Sequence, residues 1–251
     1  MFEQAMDKAF WAKHMIEQIN YGVRRFASEQ PCEIRSDHNA KTGELRIQVR
    51  GIAAPVRQDV VMLAGTVVQT LLSCLDYLTS EIWNTAKETD TRIHFPIDVD
   101  RAQLVASGSY TKIKKFRPDL ADFIVNEIKP TKAENFPIWA LKRLANTDKH
   151  RNLLLVANWN GFEIDEIERT DGVSMRKARF VAPAGGNNEN HISVPNVKEY
   201  SEPHAVVQIS IREPDIVRPD VFDRYEIVET LSNFHHTVTE TIEAFGQFLS
   251  R

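Results

Sequence analysis

Cysteine is nearly absent: Cys32 and Cys74 are the two in 251 residues. That excludes a disulfide scaffold and a four-thiolate zinc site. Glycine and proline number ten and eleven, too few for a collagen-like or low-complexity chain. Excess charge is also lacking. The formal net charge of −4 is too mild for a chain built around nucleic-acid binding, although a local patch stays compatible with it. The longest uncharged stretch, Val60 to Leu75, holds 16 residues and includes Thr66, Gln69, Thr70 and Ser73. A bilayer span needs about 20 mostly apolar residues, so this stretch predicts a core helix. The first residues lack a basic region followed by an apolar run and a cleavage site, so no signal peptide is expected. These absences predict a soluble, cytoplasmic, globular protein with no membrane partner.

What is present is a chain with 42% hydrophobic residues, long enough to bury a sizeable core. Residues 3–29 read as a helix, with Met6, Phe10, Ile16, Ile19, Val23 and Phe26 at roughly helical spacing. Segments 31–38 and 44–51 alternate as a hairpin turned at Lys41-Thr42-Gly43. Pro55 fits the first turn of a long helix over 56–87. A loop over 88–99 contains Phe95-Pro96-Ile97, and short helices follow near 99–107 and 117–129, ended by Pro130. Another helix runs from Pro137 to His150. Leu153–Trp159 and Phe162–Ile167 read as strands joined by a two-residue turn at Asn160-Gly161. Val173–Ala182 continues the sheet, 183–203 reads as a loop, and Ala205–Arg212 alternates as one more strand. A final helix over 221–250 carries the stripe Ile227, Leu231, Phe234, Val238, Ile242, Phe245 and Leu249.

Strands cluster rather than alternate with helices, so the fold class is α+β. The expected organisation is a single domain over 1–251. A helical core takes 1–30, 56–151 and 221–250, with the terminal helices packed on the central helix 56–87. A small hairpin occupies 31–51, and an antiparallel sheet over 152–213 is inserted before the last helix.

Chemistry is expected at two places. Asp76 is the first charge after the uncharged run, on a stretch still covered by Leu75, Leu78, Ile82 and Trp83. A covered carboxylate needs a cation or several donors. The second place is Asn146-Thr147-Asp148-Lys149-His150-Arg151. At about 100° per residue, Asp148 falls in the middle of the face made by Ile138, Leu141, Leu144 and Ala145, with Arg151 near its edge. Arg143 and His150 share another face beside Trp139 and Asn146. Two roles stay open for the acids: an internal polar contact that sets how the helices meet, or a ligand site.

Residues 92–151 carry twelve basic and seven acidic side chains, a locally basic region that includes Lys112, Lys114, Lys115 and Arg117. These are read as a solvated helix start, or as a modest anion or nucleic-acid surface given the neighbouring Tyr110 and Phe116. No metal site is expected from Asp76, Asp148 and His150, nor from His235-His236, because no His-x3-His or paired-Cys spacing supports one. Gly185-Gly186 is followed by no helix with a Lys-Ser/Thr start, so no phosphate cradle is expected there. No cofactor is expected. Cys74, within an uncharged helix, reads as an inert thiol.

Three segments carry a resemblance: Thr70-Leu71-Leu72-Ser73-Cys74-Leu75-Asp76-Tyr77-Leu78, then Phe95-Pro96-Ile97, then Asn146-Thr147-Asp148-Lys149-His150-Arg151. Over residues 56–156 the chain resembles a set of uncharacterised bacterial and phage proteins with the motifs "RSALDHL", "FPI" and "NiDKHR". More remotely the first motif looks like the Arg-x4-His signature of HEPN domains, helical modules that include dimeric metal-independent ribonucleases and non-catalytic RNA or nucleotide binders. Leu72 and Tyr77 stand where that signature has Arg and His.

The departure favours a non-catalytic binding or interaction module. Asp76, Asn146, Asp148, Lys149, His150 and Arg151 would form its polar site, for an anionic ligand, a nucleotide or RNA. The resemblance implies a homodimer as the assembly. The alternative is a HEPN-like ribonuclease in which His150 exchanges the proton and Arg143 or Arg151 stabilises the phosphorane charge.

Overall fold

The uncharged stretch forms the middle of α2 (Gln58–Thr85), the axis of the molecule. A helix apolar on every side must be surrounded, and α2 is packed by α1 (Glu3–Ser28), α6 (Phe136–Arg151) and α7 (Ile227–Leu249). Val60, Ala64, Val67, Val68, Leu71, Cys74, Leu75 and Leu78 are buried in it. By length and composition alone, Gln58–Ile82 would pass as a membrane span; here that surface contacts three helices. The computed structural model describes residues 2–29, 31–52, 55–85, 93–151, 154–181, 191–212 and 226–250.

The remaining elements are β1 (Cys32–Asn39), β2 (Glu44–Ile52), α3 (Arg101–Ala106), α4 (Gly108–Phe116) and α5 (Pro118–Phe123), which runs into a π-turn over Ile124–Ile128. After α6 come β3 (Leu154–Arg169), β4 (Ser174–Val181), β5 (His191–Val194), β6 (Val197–Tyr200) and β7 (His204–Arg212). The class is α+β, with the sheet placed before the last helix.

Helix α1 forms where expected and buries Ile16, Ile19 and Phe26 of its expected stripe, but in its first turns alanines take the buried positions. Ala5, Ala9, Ala12, Ile16, Ile19 and Phe26 are buried, whereas Met6 and Phe10 are 38% and 70% exposed. In the first turns the large residues Met6 and Phe10 stay outside and Ala5, Ala9 and Ala12 face the core. The approach of α1 to α2 is tight, since a Cβ at Gly22 would meet Val60 Cγ2 at 2.7 Å. Helix α7 follows its stripe, with Ile227 to Phe245 buried. Pro55 lies outside the helix, which begins at Gln58. Residues 86–87, 152–153 and 221–225, assigned above to helix and sheet, lie outside the described residues.

Two strand expectations fail. Asn160-Gly161 makes no turn: β3 is one continuous strand through it. The register against β7 shifts between Trp159 and Gly161, the mark of a β-bulge. Gly161 has φ 144°, and a Cβ there would overlap the Phe180 carbonyl. The buried residues of β3 change parity across the bulge, from Leu155 to Phe162 and Ile164. One extra residue turns the strand's apolar face from one core to another.

The second failure is the expected loop at 183–203. Its residues 191–194 and 197–200 form β5 and β6, while 183–190 lie outside the described residues. β5 pairs with β2, making the sheet β1-β2-β5. β4 runs along one edge of β3, with β6 and β7 in turn along the other. The N-terminal hairpin is therefore built into the second layer. Leu45, Ile47, Phe162, Ile164, Ile167, Val194 and Val197 from both sheets share a small core. The main core holds the helices together with Leu155, Ile209 and Ile211.

Candidate functional site

A cavity of about 290 Å³ opens between α2, α6, the start of α4 and the segment His94–Asp98. That volume lies at the small end of ligand pockets. Each wall has a local cause.

The first wall is α6. Lys142, Asn146 and Lys149 line the cavity, at spacings of four and then three residues, which share one helix face. Lys142 Nζ donates to the Ile97 carbonyl at 2.6 Å, a neutral acceptor that leaves the ammonium charge uncompensated. Neither lysine forms an ion pair among the described residues, and Asn146 and Lys149 make no side-chain hydrogen bond there.

The second wall is Phe95-Pro96-Ile97. Its two apolar anchors point into the main core, where Phe95 and Ile97 are buried. The Phe95 ring lies 5.8 Å from that of Phe245 on α7. The backbone is held by Asp76, whose Oδ1 accepts from Phe95 N–H at 2.9 Å, and by Asp98 N–H donating to Pro130 O at 3.1 Å. Asp76 Oδ2 takes His94 Nδ1 at 3.0 Å. The covered acid thus finds its donors in a backbone amide and an imidazole 19 and 18 residues downstream. Its carboxylate is 30% exposed and the His94 ring 76%.

The third wall is a double cap. Asp100 Oδ1 accepts from Gln103 N–H at 2.8 Å and starts α3. Ser107 ends α3, and its Oγ accepts from Tyr110 N–H at 3.3 Å to start α4. Gly108 and Ser109, the first residues of α4, face the cavity. No atom lies within 4 Å of where a Cβ at Gly108 would stand, so a side chain at this lining position would have room.

Of the residues singled out from the sequence, Asp76, Asn146 and Lys149 line this one cavity. Asp148 is not among its lining residues. It faces α2 elsewhere, where a Cβ at Gly65 would meet Asp148 Cγ at 2.9 Å. Gln69 Nε2 bridges the two helices there, donating to Ala145 O at 2.6 Å and to Asp148 Oδ2 at 3.3 Å. Gly65 and Asp76 are separated by three turns of α2, roughly 16 Å. The acids therefore occupy two different contacts of α2 with α6. The side chains of His150 and Arg151 lie outside the described residues. Arg143 does not line the cavity; its guanidinium stands 5.5 Å from the centre of the Trp139 ring. Position 72, where the resembled signature has Arg, is a wall residue carrying leucine, while Tyr77 faces Lys8 at 4.8 Å.

Sequence reasoning missed His94, Lys142 and the α4 start. The Lys142–Asn146–Lys149 spacing was readable as one stripe. The pairing of His94 with Asp76 has no local signal. Among the described residues no group of three or more His, Cys, Asp or Glu could hold a metal ion. His236 is 69% exposed and reaches Glu240 at 3.3 Å. His235 is half-buried; burial first, then the Lys13 charge, lowers its pKa from the ordinary imidazole value. Burial pushes the Cys74 thiol up to about 12, so it stays protonated and inert.

No protein-family model, no curated protein and no solved structure matches this chain.

Proposed function

We propose that the protein is a binding module that takes a small anionic ligand into the cavity between α2, α4 and α6, without acting on it. The observation that supports this reading most is the stripe Lys142, Asn146, Lys149, whose two ammonium groups form no ion pair among the described residues, while the carboxylates in the same lining are engaged elsewhere, Asp76 by Phe95 N–H and His94, and Asp98 Oδ1 by Val99 N–H. Such charges in a recess attract an anion more than charges on an open surface do. The amides at the start of α4 add favourable potential on the same side. Asp76 serves the site indirectly, holding the Phe95–Ile97 wall to which Lys142 is tied.

The test is calorimetric titration with inorganic phosphate and pyrophosphate. Saturable binding is expected, weakened about ten-fold by Lys149→Met, the loss of one charge-assisted hydrogen bond. Gly108→Val should weaken it as well by adding bulk at a lining position while removing no charge. Absence of saturable binding, or unchanged affinity in both variants, would discard the reading. Chelator-resistant RNA cleavage that disappears in His150→Ala would put the ribonuclease in its place.

A further inference from the structure

The cavity has two poles, and the second assigns the class of ligand. Besides the lysines, His94 lines the cavity; it gives its Nδ1 to Asp76 Oδ2 at 3.0 Å, while Asp76 Oδ1 is occupied by Phe95 N–H. Asp76 Oδ2 can only accept, so Nδ1 carries the proton, and in the tautomer protonated at Nδ1 alone the other nitrogen, Nε2, is an acceptor. No partner for Nε2 is present among the described residues. The cavity therefore offers two lysines without ion-pair partners among the described residues and, on another wall, an acceptor nitrogen, while the lining carboxylates are engaged, Asp76 by Phe95 N–H and His94, and Asp98 Oδ1 by Val99 N–H.

From this we infer that the ligand is a small phosphate monoester bearing a hydroxyl group, such as a phosphorylated polyol. The phosphate meets Lys142, Asn146 and Lys149, and the hydroxyl donates to His94 Nε2. Two ammonium charges match a phosphate dianion better than a single carboxylate. The size agrees, since about 290 Å³ holds a compact molecule and not a polymer segment. The inference rests on the anion-binding reading above and adds the role of His94 to it.

A matched pair of probes isolates that role. Glycerol 1-phosphate and propyl phosphate have the same length and charge and differ in the two hydroxyls. Titrated at pH 8, the native protein should bind glycerol 1-phosphate about five-fold more tightly, the worth of one net hydrogen bond. His94→Ala should abolish the preference, read as the ratio of the two affinities in the variant; far-UV circular dichroism would check its fold. If propyl phosphate and inorganic phosphate bind but the hydroxyls bring no preference, or the preference survives His94→Ala, this inference falls and the anion site stands. If none of the phosphates binds, the site itself falls and the inference with it. Tighter binding of phosphoethanolamine than of glycerol 1-phosphate would also overturn it, by showing that the second pole selects a cation.

Discussion

Helices α2 and α6 meet through two polar contacts with opposite characters. At one, Gly65, Gln69, Ala145 and Asp148 close on each other: the side-chain amide of Gln69 spans the seam, and the carboxylate fills the space a side chain at Gly65 would need. At the other, Asp76 is turned to the Phe95 amide and His94, while Asn146 and Lys149 look into an open recess. The closed contact spends its polar groups on one another and so specifies how the helices cross. The open one leaves donors unspent. Similar residue types on the same two helices thus serve shape in one place and are left available in the other.

The sharpest way to break this contrast is Gly65→Ala. The new Cβ would overlap the Asp148 carboxylate, and overpacking of this kind costs about 1–3 kcal/mol, more than the roughly 1 kcal/mol that alanine regains in a helix interior. Urea unfolding should show a net loss. Adding Asp148→Ala should recover most of it, and an additive double variant would show that the two residues are not in conflict.

Asp76→Ala should cost about 1–2 kcal/mol, because the Phe95 amide beside a buried ring loses its acceptor. The same change should weaken anion binding by loosening the wall that positions Lys142. A stable variant with intact affinity would detach Asp76 from the cavity.

A half-buried polar group elsewhere in the bundle calibrates the closed class. His235 has its pKa lowered in the folded state, chiefly by burial and then by Lys13. The unfolded chain therefore takes up the proton more readily. Stability from this group is full above the ordinary imidazole pKa and is lost as pH falls through the depressed folded value. Urea midpoints should drop between pH 7 and pH 5, and less so in His235→Gln. An identical slope in the variant would show that His235 is not the group responsible.

Lys149→Met should have the smallest effect on stability, within about 0.5 kcal/mol, as for an exposed residue without partners. It should have a clear effect on anion affinity. If it destabilises as Gly65→Ala does, the open contact is closed after all.

The elements most legible in the sequence were those whose burial repeats along the chain: α2 from its uncharged run, α7 from its stripe, and β7 from its alternation. Helix α1 was legible in extent and, from Ile16 to Phe26, in the face it buries; its first turns were not, because alanines carry little hydrophobic signal and yet allow close approach. The Asn160-Gly161 pair carries the local chemistry of a turn, but pairing with β7 and β4 holds β3 continuous through it. The short strands β5 and β6 have too few residues for a period to show, and they exist because β2 and β3 offer edges to them.

By itself the sequence determined the helical core and, on α6, Asn146 and Lys149 among the residues that line the cavity, since helical geometry follows from spacing along a single segment. Which acid lines the recess, which imidazole meets Asp76, and which carbonyl holds Lys142 were decided only by the tertiary structure. The imidazole lies 18 residues from Asp76 and the carbonyl 45 from Lys142, and no local periodicity connects groups that only packing brings within hydrogen-bond reach.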